Sequence, residues 1–219
     1  MLHYISALPA IVVATSIQTC VAGGGSDAPV THLPPSAPYI HATPALYLNL
    51  TVERVSNLGN LATGGLQLLG PIVEGHLFSE PGFEFQFSGS IRDAGDYLTA
   101  DPGNDGIARP ACVGEVVPDN GDKPFLFRIN GIDHASELAT EIFNSNKSEG
   151  RSVPYGYSYS VWTPTFYGGE ANYSVLQNSV FAASETVADS SRDGYFAVGM
   201  KIAKLWPVNT TIKIGEEFP

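Results

Sequence analysis

After residue 44 the chain alternates apolar and polar residues with a period of two over most of its length. This is the mark of strands whose successive side chains face opposite sides. In Ala45–Val55, Leu46, Leu48, Leu50 and Val52 fall on one face and Tyr47, Asn49, Thr51 and Glu53 on the other. Related runs predict strands at Gly65–Leu69, Ile72–Ser79, Phe83–Ile91, Asp96–Ala100, Ile107–Val117, Pro124–Ile132, Val153–Thr163, Ser179–Val187 and Tyr195–Trp206. In the third of these, Phe83, Phe85 and Phe87 share a face. EPG, DPGNDG, PDNGD and SSRDG supply turns between several of them. A helical pattern occurs once, at His134–Asn144, with Asp133 as the expected N-cap. About nine or ten strands in this order predict an all-β fold, a single antiparallel β-barrel of calycin-like type with one short helix.

The stretch YGYSYSVW, Tyr155–Trp162, divides the same way. Tyr155, Tyr157, Tyr159 and Val161 lie on one face, Gly156, Ser158, Ser160 and Trp162 on the other. If the tyrosine face points inward it makes an aromatic wall; if the other does, small residues leave room beside Trp162. An outward tyrosine ladder that strengthens cross-strand pairing is the structural alternative. Trp162, with Tyr159 near the strand end, is the expected pocket contact.

Composition changes the picture at the N-terminus. The first 25 residues hold no Asp, Glu, Lys or Arg, and an apolar run covers Ile5–Val13. That run is too short to span a bilayer and fits the core of a secretory signal over residues 1–22, cleaved after Ser16 or after Ala22. A buried first strand is the alternative. Residues 23–44 carry Pro29, Pro34, Pro35, Pro38 and Pro44, which predicts an extended proline-rich arm. The barrel is expected over 45–207 and a C-terminal tail over 208–219. N-x-[ST] sequons at Asn49, Asn146, Asn172 and Asn209 fit a glycosylated protein of the secretory pathway. Cleavage after Ser16 keeps Cys20, which then pairs with Cys112 in an oxidising lumen; cleavage after Ala22 leaves Cys112 alone.

The net charge is -11, with 22 acidic residues against 11 basic ones. That balance argues against nucleic acid or an anionic membrane surface as partner, and a homodimer remains open. No G-x-S-x-G elbow, H-E-x-x-H pairing or glycine-rich phosphate loop is present, so no metal or cofactor is expected. What remains is an aromatic-rich barrel suited to apolar small molecules. Asp96 and Arg128 stand out because Tyr97 and Leu98 flank the first and Phe125, Phe127 and Ile129 surround the second. With Lys201 they are the candidate catalytic groups; a structural ion pair is the other reading of Asp96 and Arg128. Phe87, Tyr97, Tyr157, Tyr159 and Trp162 are the candidate substrate contacts.

GGLQLLGPIVEGHLF, Gly64–Phe78, followed by RDAGDYLTADPGNDGIAR, Arg92–Arg109, resembles the family known as domain of unknown function 3237. Gly75, Gly95, Asp96 and Tyr97 occupy the positions of its motifs, PDNGDKPFLFRINGI is similar to its hairpin, and PTFYGGEANYSVLQNSVFAAS to its C-terminal segment. The resemblance runs from Leu46 to Leu205 and implies a small β-barrel. One departure stands out: an acid expected on the strand after Tyr97 is replaced near Ala111 or Cys112. Fungal members with a secretory signal resemble the hetero-Diels-Alderases of tropolone-sesquiterpenoid biosynthesis. These pericyclases join a tropolone ortho-quinone methide to a humulene-type alkene in meroterpenoid secondary metabolism. The resemblance therefore implies a cofactor-free cycloaddition. The competing expectations are a secreted barrel that carries apolar molecules without catalysis, and a hydrolase or isomerase centred on Asp96.

Overall fold

The computed structural model describes residues 40–103 and 106–207. Strands β1 (Ile40–Glu53), β2 (Ser56–Asn60), β3 (Leu66–Ser79), β4 (Ser88–Ala100), β5 (Ile107–Pro118) and β6 (Phe125–His134) come first. Helix α1 (Glu137–Asn144), β7 (Ser152–Val153) and β8 (Tyr159–Gly168) follow. A 3-10 turn, Ala171–Tyr173, runs into the short helix α2 (Ser174–Gln177), and β9 (Phe181–Asp189) and β10 (Tyr195–Pro207) complete the order. The proposed signal, Cys20, Asn209 and the C-terminal tail lie outside the described residues.

All strand pairs are antiparallel, in the order β1-β10-β9-β8-β6-β5-β4-β3. Strand β1 also pairs with β3, which closes the sheet into an eight-stranded barrel. Strand β2 extends β3 and β7 adds to β9 outside this ring. Alternation then decides what is inside. Leu46, Leu48, Leu50 and Val52 of β1 are buried, as are Phe125, Phe127 and Ile129 of β6 and Val198, Met200 and Ile202 of β10. Asn49 is exposed on the outer face of β1; Asn146, in the loop after α1, and Asn172, in the 3-10 turn, are exposed as well.

Several boundaries differ from the sequence reading, each for a local reason. Strand β1 starts at Ile40, inside the expected proline-rich arm, because Ile40–Pro44 pair with Pro207–Ala203 and the strand irons out its proline by a register shift between Pro44 and Leu46. The two runs Gly65–Leu69 and Ile72–Ser79 form one strand. The Gly70-Pro71 step that reads as a break lies opposite Gly95, at the edge of a bulge in β4 where Asp93 takes a φ of +46°. Asp133 does not cap α1: it belongs to β6, opposite Ser160, with its side chain buried. The helix begins at Glu137 instead, and the Ser136 hydroxyl accepts from the Ala139 N–H at 3.2 Å. Val153–Thr163 is split, so Tyr155 and Tyr157 sit in the turn between β7 and β8.

Phe83–Phe87 is not a strand but a loop that plugs one barrel end. Tyr173 is packed there against Phe125 at 4.9 Å, Phe85 at 5.1 Å and Phe87 at 6.0 Å between ring centroids. Its hydroxyl donates to Asp122 Oδ2 at 3.1 Å, so the plug is apolar inside and anchored by a polar tip at the rim. The opposite end carries α1 and is not filled by side chains. No helix among the described residues is long and apolar enough to cross a membrane.

Truncating the plug removes a buried ring that nothing else replaces. Tyr173→Ala is expected to lower unfolding free energy by about 3–5 kcal/mol, read as a fall in the urea midpoint with an unchanged slope.

Candidate functional site

Where the plug ends, the barrel opens into a cavity of about 280 Å³. Most of its wall is apolar, including Leu50, Val52, Ile72, Leu98, Phe196 and Met200, and Thr140, Phe143 and Asn144 of α1 cover part of its mouth. Trp162 lies on this wall, 3% exposed. Gly131 is paired with it, and a Cβ at Gly131 would stand 2.9 Å from the indole ring, so the glycine makes room for the tryptophan. The Trp162 Nε1–H donates to Ser160 Oγ at 2.7 Å.

Into this apolar space the strands send three carboxyl groups. Asp96 comes from β4, Asp133 from β6 and Glu185 from β9, and Cys112 of β5 sits directly opposite Asp96 in the ladder. Burial pushes Asp96 up to about 7, with a smaller upward push from Asp133 and a backbone hydrogen bond from Ala111 pulling it down. Burial also raises Asp133 to about 6, while His134 and the Ser160 hydroxyl pull it back. Glu185 is driven well above the usual carboxylate range by burial and by Asp133, against the pull of Ser160 and Trp162. Burial and the nearby Asp96 push the Cys112 thiol up as well, which keeps it protonated and unreactive. Asp96 Oδ1 is sealed from solvent and has no hydrogen-bond partner.

The cavity thus holds three acids of unlike strength, with Asp133 at about 6, Asp96 at about 7 and Glu185 driven well above the usual carboxylate range by burial. A proton donor and a proton acceptor facing one apolar space are what general acid–base work or hydrogen-bond stabilisation of a developing oxyanion requires. Among the described residues no three His, Cys, Asp or Glu side chains come together as a metal-ion cluster.

Of the residues singled out in the sequence, Asp96 and Trp162 meet in this cavity. Arg128 is exposed on the outer face of β6, between Val113 and Thr165 of the neighbouring strands. Lys201 points outward from β10, its ammonium 4.7 Å from the centre of the Tyr155 ring. Tyr97, 44% exposed, takes the face of β4 opposite to Asp96, and Tyr159 is 62% exposed beside His134. Tyr157 is exposed in its turn, and Phe87 belongs to the aromatic plug at the far end. In YGYSYSVW the inner face is therefore the one with Ser160 and Trp162. The Cys112 thiol is buried at the cavity wall; Cys20, its expected disulfide partner, is outside the described residues.

Asp133, Glu185 and Ser160 escaped the sequence reading, though their positions carried a signal. Asp133 stands in phase with Phe125, Phe127 and Ile129, and Glu185 with Phe181, Ala183 and Val187, so each is a polar residue on an apolar face.

Fold and cavity together define a closed antiparallel barrel with an internal acidic pocket. The chain belongs to the family described as "Protein of unknown function (DUF3237)", whose model matches residues 40–204. It is similar in structure to a conserved protein of unknown function from Rhodopseudomonas palustris, with a TM-score of 0.60 and 18% identity over 78% of this chain and 100% of that one. A protein of unknown function from Clostridium acetobutylicum matches with a TM-score of 0.58 and 18% identity, over 78% of this chain and 99% of its own. A beta-barrel like protein from Acinetobacter baumannii matches with a TM-score of 0.52 and 18% identity, over 79% and 100%. At these identities the likeness shows the barrel fold. No curated protein shows significant similarity to the chain.

The raised carboxyl groups set a direction for stability. An acid that binds its proton more tightly when folded contributes stability that is full below its unfolded value and is lost as pH rises through its folded one. For Asp96, moved from 3.8 to about 7, the loss is roughly 4 kcal/mol in full. The barrel is therefore expected to melt at a lower temperature at pH 8 than at pH 5, and Asp96→Asn to remove most of that slope. A flat or reversed profile in scanning calorimetry would contradict the buried placement of this group.

Proposed function

We propose that this barrel is a cofactor-free hetero-Diels-Alderase, acting in the secretory pathway. It joins a tropolone ortho-quinone methide to a humulene-type sesquiterpene in meroterpenoid secondary-metabolite biosynthesis. The observation that carries the reading is the set of carboxyl groups inside an apolar cavity, one of which burial drives well above the usual carboxylate range. Sequence resemblance supplies the choice of reactants.

The cycloaddition asks for positioning and for one well-placed donor. A carbon–carbon bond forms between the methide carbon and the alkene, an oxygen–carbon bond closes the pyran ring, and three π bonds become two σ bonds and one π bond. Because the first bond leads, negative charge gathers on the quinone methide oxygen and positive charge on the substituted alkene carbon. Protonated Glu185 is the donor for that oxygen, and ionised Asp133 faces the positive carbon. These roles pass from Arg128 and Lys201, which lie outside the barrel, to the acids within it. A cavity near the lower end of ligand-pocket volumes encloses one flat partner, with the second entering from the α1 end. Holding both in register supplies up to about 7–11 kcal/mol of the barrier lowering. Where the methide comes from a hydroxymethyl precursor, one carboxyl protonates the departing hydroxyl while Asp96 takes the ring hydroxyl proton, and water leaves.

Purified protein incubated with a hydroxymethyl tropolone precursor and humulenol is expected to form the dihydropyran faster than buffer and as one stereoisomer. Glu185→Met, which removes the donor at similar size, is expected to slow the reaction about 100- to 1,000-fold, while Glu185→Gln, which keeps an N–H donor, retains much of the rate. A buffer-like rate and isomer ratio would sink the proposal. Tightly bound ligand recovered unchanged in that case would assign the barrel to the non-catalytic carriers.

A further inference from the structure

Asp96, Asp133 and Glu185 enter one cavity from three strands, and no lysine, arginine or histidine is among the described residues that line it. The groups facing Asp96 are Cys112 from β5, Asp133 from β6 and Glu185 from β9; β1, β3, β10 and α1 contribute Leu50, Gly70, Met200, Thr140 and Asn144, none of them charged. His134 follows Asp133 but is exposed on the outside of β6. No cation on the cavity wall therefore answers the negative charge that these acids carry when ionised, and buried charges are ordinarily paired. Asp96 adds a second sign, because its Oδ1 is sealed from solvent with its lone pairs unused.

Trp162 completes the setting. Its N–H is engaged by Ser160 Oγ at 2.7 Å, so its contribution to an occupant is the ring, and indole is the best aromatic surface for a cation. The remaining wall is apolar, which fits an organic body rather than a hydrated metal ion.

We propose that this cavity is the seat of a small aromatic amine, its ammonium group held by Asp96 and Asp133 and its rings packed beside Trp162. The ammonium supplies the missing counter-charge. Glu185, driven well above the usual carboxylate range by burial, takes no part in holding the ammonium. The net charge of -11 favours the approach of such a cation. Binding displaces protons from the two aspartic acids, whose values of about 7 and about 6 place that exchange between pH 5 and 8, so affinity climbs with pH over that range. The inference stands apart from the cycloaddition, since it concerns equilibrium binding and needs no turnover.

Titration calorimetry with 1-naphthylmethylamine, 1-naphthalenemethanol and 1-naphthoate separates charge from shape. The amine is expected to bind at least tenfold tighter at pH 7.5 than at pH 5.5, the alcohol to change little, and the carboxylate to bind most weakly of the three at pH 7.5. Asp96→Asn and Asp133→Asn are each expected to cost the amine at least tenfold while sparing the alcohol, with the alcohol titration doubling as the check that each variant folds. An amine that binds no better than the alcohol, or a preference that survives both substitutions, would overturn the assignment. If a variant does not fold, the wild-type series of three ligands at two pH values decides the matter alone.

Discussion

The structure depends on one pairing, that of β1 with both β10 and β3. Without it the sheet has two open edges and no interior; with it, every strand of the eight-stranded ring has two neighbours and every second side chain points into an enclosed space. Strand β1 manages this by being long, fourteen residues, and by shifting register at Pro44/Leu46 on one side and Thr51/Val52 on the other. Such irregularities let one strand follow the curvature of a closed barrel that a regular ribbon could not. The proline that reads as the end of an arm is in this way part of the closure.

Closure also divides the interior. Rings from Phe85, Phe87, Phe125, Phe166, Tyr173 and Phe181 interlock at one end, and a close-packed end of this kind carries the cohesion of the fold. The other end is lined by smaller groups, among them Gly70, Ala100 and Ala108, and stays hollow. Packing and function are therefore laid out along the barrel axis, with the stable plug offsetting a cavity that contributes little to stability and holds acids at a cost.

The fold was legible because alternation is a strong signal when one face of each strand is buried. Nine of the ten strands correspond to runs visible in the sequence, with β3 and β4 each read as two, β7 and β8 read as one, and β2 not read at all. Strand β2, SNLGN, has exposed or half-buried residues only, so it offers no buried face to find. The site was less legible, for a related reason. Trp162 is legible from the small residues that share its face and Asp96 from its apolar neighbours, but the second criterion draws in Arg128, whose neighbours Phe127 and Ile129 point the other way. Adjacent residues in a strand face opposite sides, so apolar neighbours at i±1 argue that a polar residue is outside; apolar neighbours at i±2 argue that it is inside. Applied to FLFRINGID and FAASETV, that rule excludes Arg128 and selects Glu185, while Asp133, with Ile132 beside it, is placed only by its longer phase with Phe125, Phe127 and Ile129. Which of the inward acids share a cavity depends on the order of strands around the barrel, and that order is not written in any local window.

Three buried acids without a basic partner are hard to explain as a device for stability. A carboxyl group in an apolar wall destabilises the fold relative to a leucine or methionine of similar size, most of all once it ionises, and their mutual repulsion raises that penalty. Structural burial of acids normally brings a cation or a full set of donors with it, as at Asp189, which Arg151 answers with two nitrogens at 3.0 and 3.1 Å; even at the solvated rim Asp122 accepts from Asn120, Asn172 and Tyr173. Burial raises the acids of the cavity, whereas those two are lowered by their partners. The same chain thus satisfies its structural carboxylates and leaves the cavity's Asp96 unsatisfied, and the difference lies in what faces them: protein in the first case, a cavity the size of a small molecule in the second.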